Sequence, residues 1–216
     1  MRVLITGANR GIGAALRSSY VNRGDDTLGT RRGGTEEPGW LSLDVTAPDA
    51  PTLIAEALGD EPLDLLICNA GVYLDKGHAI ESGYAPEIWA ETFAANVTGV
   101  FQTIRAALPA LQAAKGKIAI ISSQMASDTL APGGSYVYRA SKAAALNLGR
   151  NLASDLKSDG IAVGIYHPGW VKTDMGGSNA DITVEEAAAG LLDRFDALTL
   201  AQTGEFLTWD GRQHPF

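Results

Sequence analysis

Tyr138 and Lys142 stand four residues apart in Ser135-Tyr136-Val137-Tyr138-Arg139-Ala140-Ser141-Lys142. On a helix that spacing sets both side chains on one face, one turn apart. An ammonium beside a phenol favours the phenolate and lowers its pKa. A free tyrosine, with a pKa of about 10, holds its proton too tightly for efficient transfer, so the pair suits an acid/base role. Tyr136 has no such partner, because its own fourth neighbour is Ala140. Taken alone, Tyr and Lys at this spacing are usually an ordinary amphipathic pair.

A second cluster lies at the N-terminus. Arg2-Val3-Leu4-Ile5 reads as a short buried strand. Thr6-Gly7-Ala8-Asn9-Arg10-Gly11-Ile12-Gly13 follows, and Ala14 to Val21 reads as helix. Gly7 lets the chain leave the strand sharply, Gly11 lets the backbone approach a pyrophosphate, and Gly13 lets helix and sheet pack closely. The helix start offers free N–H groups and a positive dipole end to phosphates. The same residues without a ligand are a tight turn, and a glycine triplet alone does not separate these readings.

The rest of the chain supplies a scaffold that could join the clusters. At 216 residues and 45% hydrophobic content, it can form one domain with a substantial core. Strands are expected at 2–6, 26–30, 40–43, 63–68, 116–122, 161–167 and 205–208, and helices at 11–23, 49–58, 86–114, 136–158 and 183–198. This alternation predicts an α/β class, a Rossmann-type doubly wound parallel sheet in one domain over 1–216. Ligands bind such sheets at strand C-terminal ends, where the strand order reverses. Gly7, Asn69, Ser123 and His167-Pro168-Gly169 all fall at such ends.

A net charge of −8 argues against nucleic acid as a partner. The single cysteine, Cys68, precludes an intramolecular disulfide and fits a reducing, cytoplasmic setting, with Cys68 as a packed strand residue. No signal peptide or membrane span is expected. His78, His167 and His214 lack ligand spacing, so no metal site is expected.

Together the motifs resemble the short-chain dehydrogenase/reductase family. The residues that carry the likeness are the turn Thr6 to Gly13, Asn69-Ala70-Gly71, Ser123, and Tyr138 with Lys142. Asn96 in Ala95-Asn96-Val97-Thr98-Gly99 matches the family's helix asparagine, and Pro168-Gly169-Trp170-Val171-Lys172-Thr173 its nicotinamide-side loop. The match spans nearly the whole chain. The short length and the stretch Gly204 to Gly211 are most similar to the small carbonyl reductases of the C-factor and sniffer type. The resemblance implies hydride transfer between a nicotinamide cofactor and a small carbonyl or alcohol. It makes Tyr138 the acid/base, Ser123 the carbonyl-holding hydroxyl, Lys142 the partner of Tyr138 and of the nicotinamide ribose, and Asn96 the bearer of a water chain. Cofactor contacts are implied for Gly7, Asn9, Arg10, Gly11, Ile12, Gly13, Arg31, Asp44, Val45, Asn69, Ala70, Gly71, Tyr138, Lys142, Pro168, Gly169, Val171 and Thr173.

The second strand bears on which cofactor. An acidic residue at its end would bind a ribose diol and repel a 2′-phosphate. Here Thr27-Leu28-Gly29-Thr30 runs into Arg31-Arg32, and Arg10 lies in the glycine-rich turn. Guanidinium groups favour phosphate, so NADP(H) is expected over NAD(H).

Three readings stay open. Ser122 and Ser123 are adjacent, so only one faces the site; the family pattern favours Ser123, with Ser135 a weaker alternative. Residues 173–183 are expected to form a short, mobile lid, with Tyr73, Trp170 and Met175 as candidate walls. Apolar faces on 86–114 and 136–158 suggest a homodimer. The competing function is a non-catalytic NADPH-binding sensor on the same fold; the retained Tyr, Lys and Ser favour an enzyme.

Overall fold

A computed structural model describes residues 1–34 and 37–216. Seven strands form one parallel sheet: β1 (Arg2–Ile5), β2 (Asp26–Arg31), β3 (Trp40–Ser42), β4 (Leu65–Cys68), β5 (Lys117–Ile121), β6 (Ala162–His167) and β7 (Phe206–Thr208). Their order is β3-β2-β1-β4-β5-β6-β7, which reverses between β1 and β4 as the alternation required. Every strand expected from the sequence is present, with ends moved by one or two residues.

The pleat assigns alternate residues to opposite faces, and both faces are covered. Leu4, Leu66, Ile118 and Ile120 point into one core layer with Ile54, Ile104 and Leu111. Val3, Ile5, Leu65, Ile67 and Ala119 point into the other, against Leu16, Tyr20, Leu191 and Phe195. The helices that supply these layers are α1 (Gly11–Asn22), α2 (Ala50–Leu58), α3 (Pro86–Phe93), α4 (Gly99–Ala114), α5 (Tyr136–Asp155) and α6 (Val184–Ala197). Residues 86–114 are not one regular helix. A π-helical turn, Ala94–Thr98, separates α3 from α4 and carries Asn96. Such turns leave local carbonyls outside the usual ladder and recur at functional sites.

Cys68 is buried and its thiol is pushed up to about 12 by burial, which fits packing and not nucleophilic attack. Among the described residues no cluster of His, Cys, Asp and Glu could hold a metal, and no helix is long and apolar enough to cross a membrane.

Candidate active site

The glycine-rich turn is built around contacts that a side chain would break. Gly7 adopts φ +65° and Gly11 φ +52°, values that glycine accepts at little cost. A Cβ on Gly13 would overlap the Gly7 carbonyl and lie 2.5 Å from Asn69 Nδ2. The turn is tied across the strand ends. Asn69 Nδ2 donates to the Thr6 and Gly7 carbonyls, each at 3.0 Å. Thr6 Oγ1 accepts the Asn69 and Ala70 amides, both at 3.0 Å. Gly7 N–H donates to Thr30 Oγ1 at 3.1 Å.

Asn9 and Arg10 stand exposed above the turn, while Ile12 leans on the core beneath it. Helix α1 starts without a side-chain cap and without an acidic residue in its first turn. Its leading N–H groups and dipole are therefore available to an anion.

The C-terminal end of β5 and the first two turns of α5 bring the chemical groups together. Ser122 Oγ donates to the Lys142 carbonyl at 3.0 Å, so Ser122 braces the helix. Ser123 Oγ accepts the Met125 amide at 3.1 Å and stands beside Tyr138, where its hydroxyl favours the ionised phenol. Of the adjacent serines, Ser123 is the one that meets the tyrosine. Ser135 hydrogen-bonds Tyr73, away from that contact. Tyr138 and Lys142 are only 7% and 5% exposed, so neither is part of a solvated surface pair.

Their electrostatics depart from the expectation that Lys142 lowers the Tyr138 pKa. Tyr138 is pushed up to about 12, with burial the largest cause, the Ser123 hydrogen bond opposing it, and Tyr73 and Asp75 adding to it. Lys142 is itself pushed down to about 8 by burial. The physical reason is distance and commitment. Lys142 Nζ lies 5.8 Å from the Tyr138 ring centre and donates to the Ile121 carbonyl at 2.9 Å. Desolvation of the phenol outweighs a cation held at that range.

Asn96 is fully buried and its amide is committed. Its Oδ1 accepts the Val72 amide at 2.8 Å, and its Nδ2 donates to the Val72 carbonyl at 2.9 Å and to Ser141 Oγ at 3.0 Å. Gly71 fits tightly between Asn96 and Lys142: a Cβ there would lie 2.9 Å from Asn96 Oδ1 and 3.4 Å from Lys142 Nζ.

The remaining predicted positions ring this centre. Pro168 and Gly169 follow β6, and Gly169 adopts φ +91° with Ile182 and Trp209 packed against its Cα. Val171 bridges to Ile182, which folds residues 173–183 back on themselves. Thr173 Oγ1 accepts the Gly176 amide at 3.0 Å, and Lys76 Nζ donates to the Met175 carbonyl at 3.0 Å. The expected mobile lid is thus a short flap with its own hydrogen bonds. Of its candidate walls, Trp170 and Met175 stay largely exposed, and Tyr73 stacks on Tyr138 with ring centres 4.2 Å apart. His167 is buried against His214 and pushed down to about 4, mainly by burial.

At the other end, Arg31 is ion-paired with Glu37 at 3.0 Å and lies over the Trp40 ring. Arg32 reaches Asp44 at 4.0 Å and Arg10 reaches Asp174 at 3.1 Å. Asp44 Oδ1 accepts from Thr46 N and Oγ1, closing the turn that sets Val45 against Gly99. Sequence reasoning missed Arg17, whose guanidinium also lies over the Trp40 ring, 4.2 Å from its centre. It also missed Asp75. A lone acid between Leu74 and Lys76 gives no pattern to find.

A glycine cradle at a switch point, joined to a buried Ser–Tyr–Lys centre, defines a nucleotide-dependent α/β enzyme. The family model for short chain dehydrogenases matches residues 1–182, and the chain belongs to that family as an oxidoreductase. It is 34% identical, over 97% of its length and 96% of the relative's, to a 1-hydroxy-2-glutathionyl-2-methyl-3-butene dehydrogenase of Rhodococcus sp. (strain AD45). Its fold matches the carbonyl reductase Sniffer of D. melanogaster with a TM-score of 0.90 and 27% identity, over 100% of this chain and 99% of that one. It also matches an NADPH-bound carbonyl reductase from chicken fatty liver with a TM-score of 0.88 and 30% identity, over 100% and 98% of the two chains.

Proposed function

We propose that the protein is an NADPH-dependent reductase of small carbonyl compounds, with Tyr138 as the acid. The observation that carries this reading is the buried contact of Ser123 with Tyr138 at the sheet end that also holds the glycine cradle. The cradle fits a dinucleotide: α1 begins without a side-chain cap or an acidic residue in its first turn, so its leading N–H groups are open to a pyrophosphate. Gly7, Asn9, Arg10, Gly11, Ile12 and Gly13 would hold the pyrophosphate. Asp44 and Val45 would flank adenine. Asn69, Ala70, Gly71, Pro168, Gly169, Val171 and Thr173 would hold the nicotinamide half.

When bound, the reduced cofactor supplies a hydride to the carbonyl carbon. Ser123 Oγ–H orients the carbonyl oxygen and stabilises its developing charge. Tyr138 donates its phenolic proton to that oxygen and accepts one in the reverse direction. A tyrosine pushed up to about 12 carries its proton at neutral pH but holds it more tightly than a free tyrosine, so it gives the proton up only as charge develops on the substrate oxygen. Lys142 would reach the nicotinamide ribose, with Asn96 holding the loop beside it.

Preference for NADPH is supported by Arg31 and Arg32 at the end of β2 and by Arg10 in the turn. All three face carboxylates, and a 2′-phosphate would compete for the same guanidinium groups. The flap 173–183 would close over the substrate. We assign the exposed Phe101 of α4, 40% accessible, to a homodimer contact; a monomeric mass by sedimentation would reject it.

The reading is tested by following NADPH oxidation against a panel of aldehydes, ketones and quinones. Turnover with at least one class is expected. Tight NADPH binding without turnover across chemically varied carbonyls would contradict it.

A further inference from the structure

Asp75 inverts the usual rule of burial. In the loop after β4, the apolar Leu74 is 38% exposed while Asp75 beside it is 0% exposed. Among the described residues no cation pairs with this carboxylate; backbone N–H groups satisfy it. Asp75 Oδ2 accepts the Val137 amide at 2.8 Å, and Oδ1 accepts the Tyr138 amide at 3.2 Å.

These amides belong to the first turn of α5, which has no cap of its own. Ser135 precedes the helix with φ +50°, and its side chain gives no capping bond. The first turn carries no acidic residue. Asp75 therefore caps α5 from another loop, placing its carboxylate oxygens at the positive end of the helix dipole. The same loop also touches the glycine-rich turn and the groups around Tyr138. Asn69 and Ala70 tie it to the glycine-rich turn, Gly71 presses on Asn96 and Lys142, and Tyr73 stacks on Tyr138.

We propose that Asp75 is a positioning residue for proton transfer: its buried carboxylate fixes the backbone of Tyr138 and supplies the charge against which the phenol ionises. The groups that face Tyr138 are Ser123 from β5, Tyr73 and Asp75 from the β4 loop, and Lys142 from its own helix. Asp75 is the only carboxylate among them. Its removal eases ionisation of Tyr138, and the direction of its influence on Tyr138 agrees with this.

The inference rests on Tyr138 as the proton carrier, so the test includes a readout independent of turnover. Tyrosine labelled with ¹³C at Cζ reports ring ionisation, and Tyr138→Phe identifies the signal. Wild type and Asp75→Asn, which keeps one acceptor for the helix and removes the charge, are titrated with NADPH bound. In Asp75→Asn the onset of Tyr138 ionisation falls by about half a unit or more, and the alkaline limb of kcat for reduction falls with it. NADPH affinity, from cofactor fluorescence, stays within about threefold. Asp75→Ala, which also removes the cap, loses about tenfold or more in kcat, most of it restored in Asp75→Asn. An unmoved Tyr138 titration in Asp75→Asn, with losses confined to thermal stability, overturns the proposal and leaves Asp75 a plain helix cap. A wild type that reduces no carbonyl, while Tyr138 still shifts in Asp75→Asn, removes the reductase reading and keeps the assignment of Asp75.

Discussion

The two ends of the candidate site are built on opposite principles. Around Tyr138, Lys142, Ser123 and Asn96 the polar groups are buried and bonded to nearby backbone or to one another. Around Arg10, Arg31 and Arg32 the charges lie nearer the surface, paired with carboxylates that solvent also reaches. Buried polar networks are rigid, and each loss leaves an orphaned group. Surface ion pairs contribute little and exchange readily. The difference places geometric precision where a proton must move, and exchangeable attraction where a phosphate must be caught and released.

Lys142→Met attacks the buried end most severely. It should cost about 10²–10⁴-fold in kcat, measured as NADPH oxidation. The same change should not destabilise the protein at pH 7. Lys142 sits at about 8 in the folded chain against the ordinary lysine value of 10.5, so the unfolded state binds more protons between those values. The wild type should then gain stability as pH rises through that window, and Lys142→Met should lack this gain; thermal melts at pH 7 and pH 10 compare the two.

Gly13→Ala strikes the junction of the two ends. The added methyl must displace the Gly7 carbonyl or Asn69, so cofactor affinity should fall by about 30-fold or more, read by fluorescence titration. Arg31→Asp acts at the surface end. It should weaken NADPH binding by about 10- to 100-fold and NADH binding far less; equal losses for both would remove the argument from charge. The smallest effect is that of salt. Raising ionic strength should weaken NADPH binding by about three- to tenfold and leave kcat nearly unchanged. A kcat that fell in parallel would erase the distinction between the two ends.

Much of this architecture was legible because its signals are periodic or stereochemical. The apolar runs at Val3–Ile5 and Leu65–Ile67 are buried on both faces and read as parallel strands without ambiguity. Gly7, Gly11 and Gly13 are legible because only glycine fits their φ values or contacts. What escaped was set by tertiary contact. The π turn at Asn96 replaces regular helix without any proline or glycine inside it. The burial that raises Tyr138 comes from Tyr73 and the loop above it, more than sixty residues away in sequence. Local spacing suggested a depressed phenol because it showed the cation and not the desolvation. Asp75 was silent for the same reason: its partners are main-chain amides of another segment, which no side-chain pattern announces.

The central claim is that Tyr138 carries the proton while other groups hold the cofactor. Tyr138→Phe keeps the ring and its stack on Tyr73 and removes only the hydroxyl. Titration of this variant with NADPH, alongside steady-state reduction of the best carbonyl from the panel, tests the claim most directly. The account predicts NADPH affinity within about threefold of wild type and a kcat lowered by about 10²-fold or more. A variant that still turns over at near wild-type rate would contradict it and move the acid to another group.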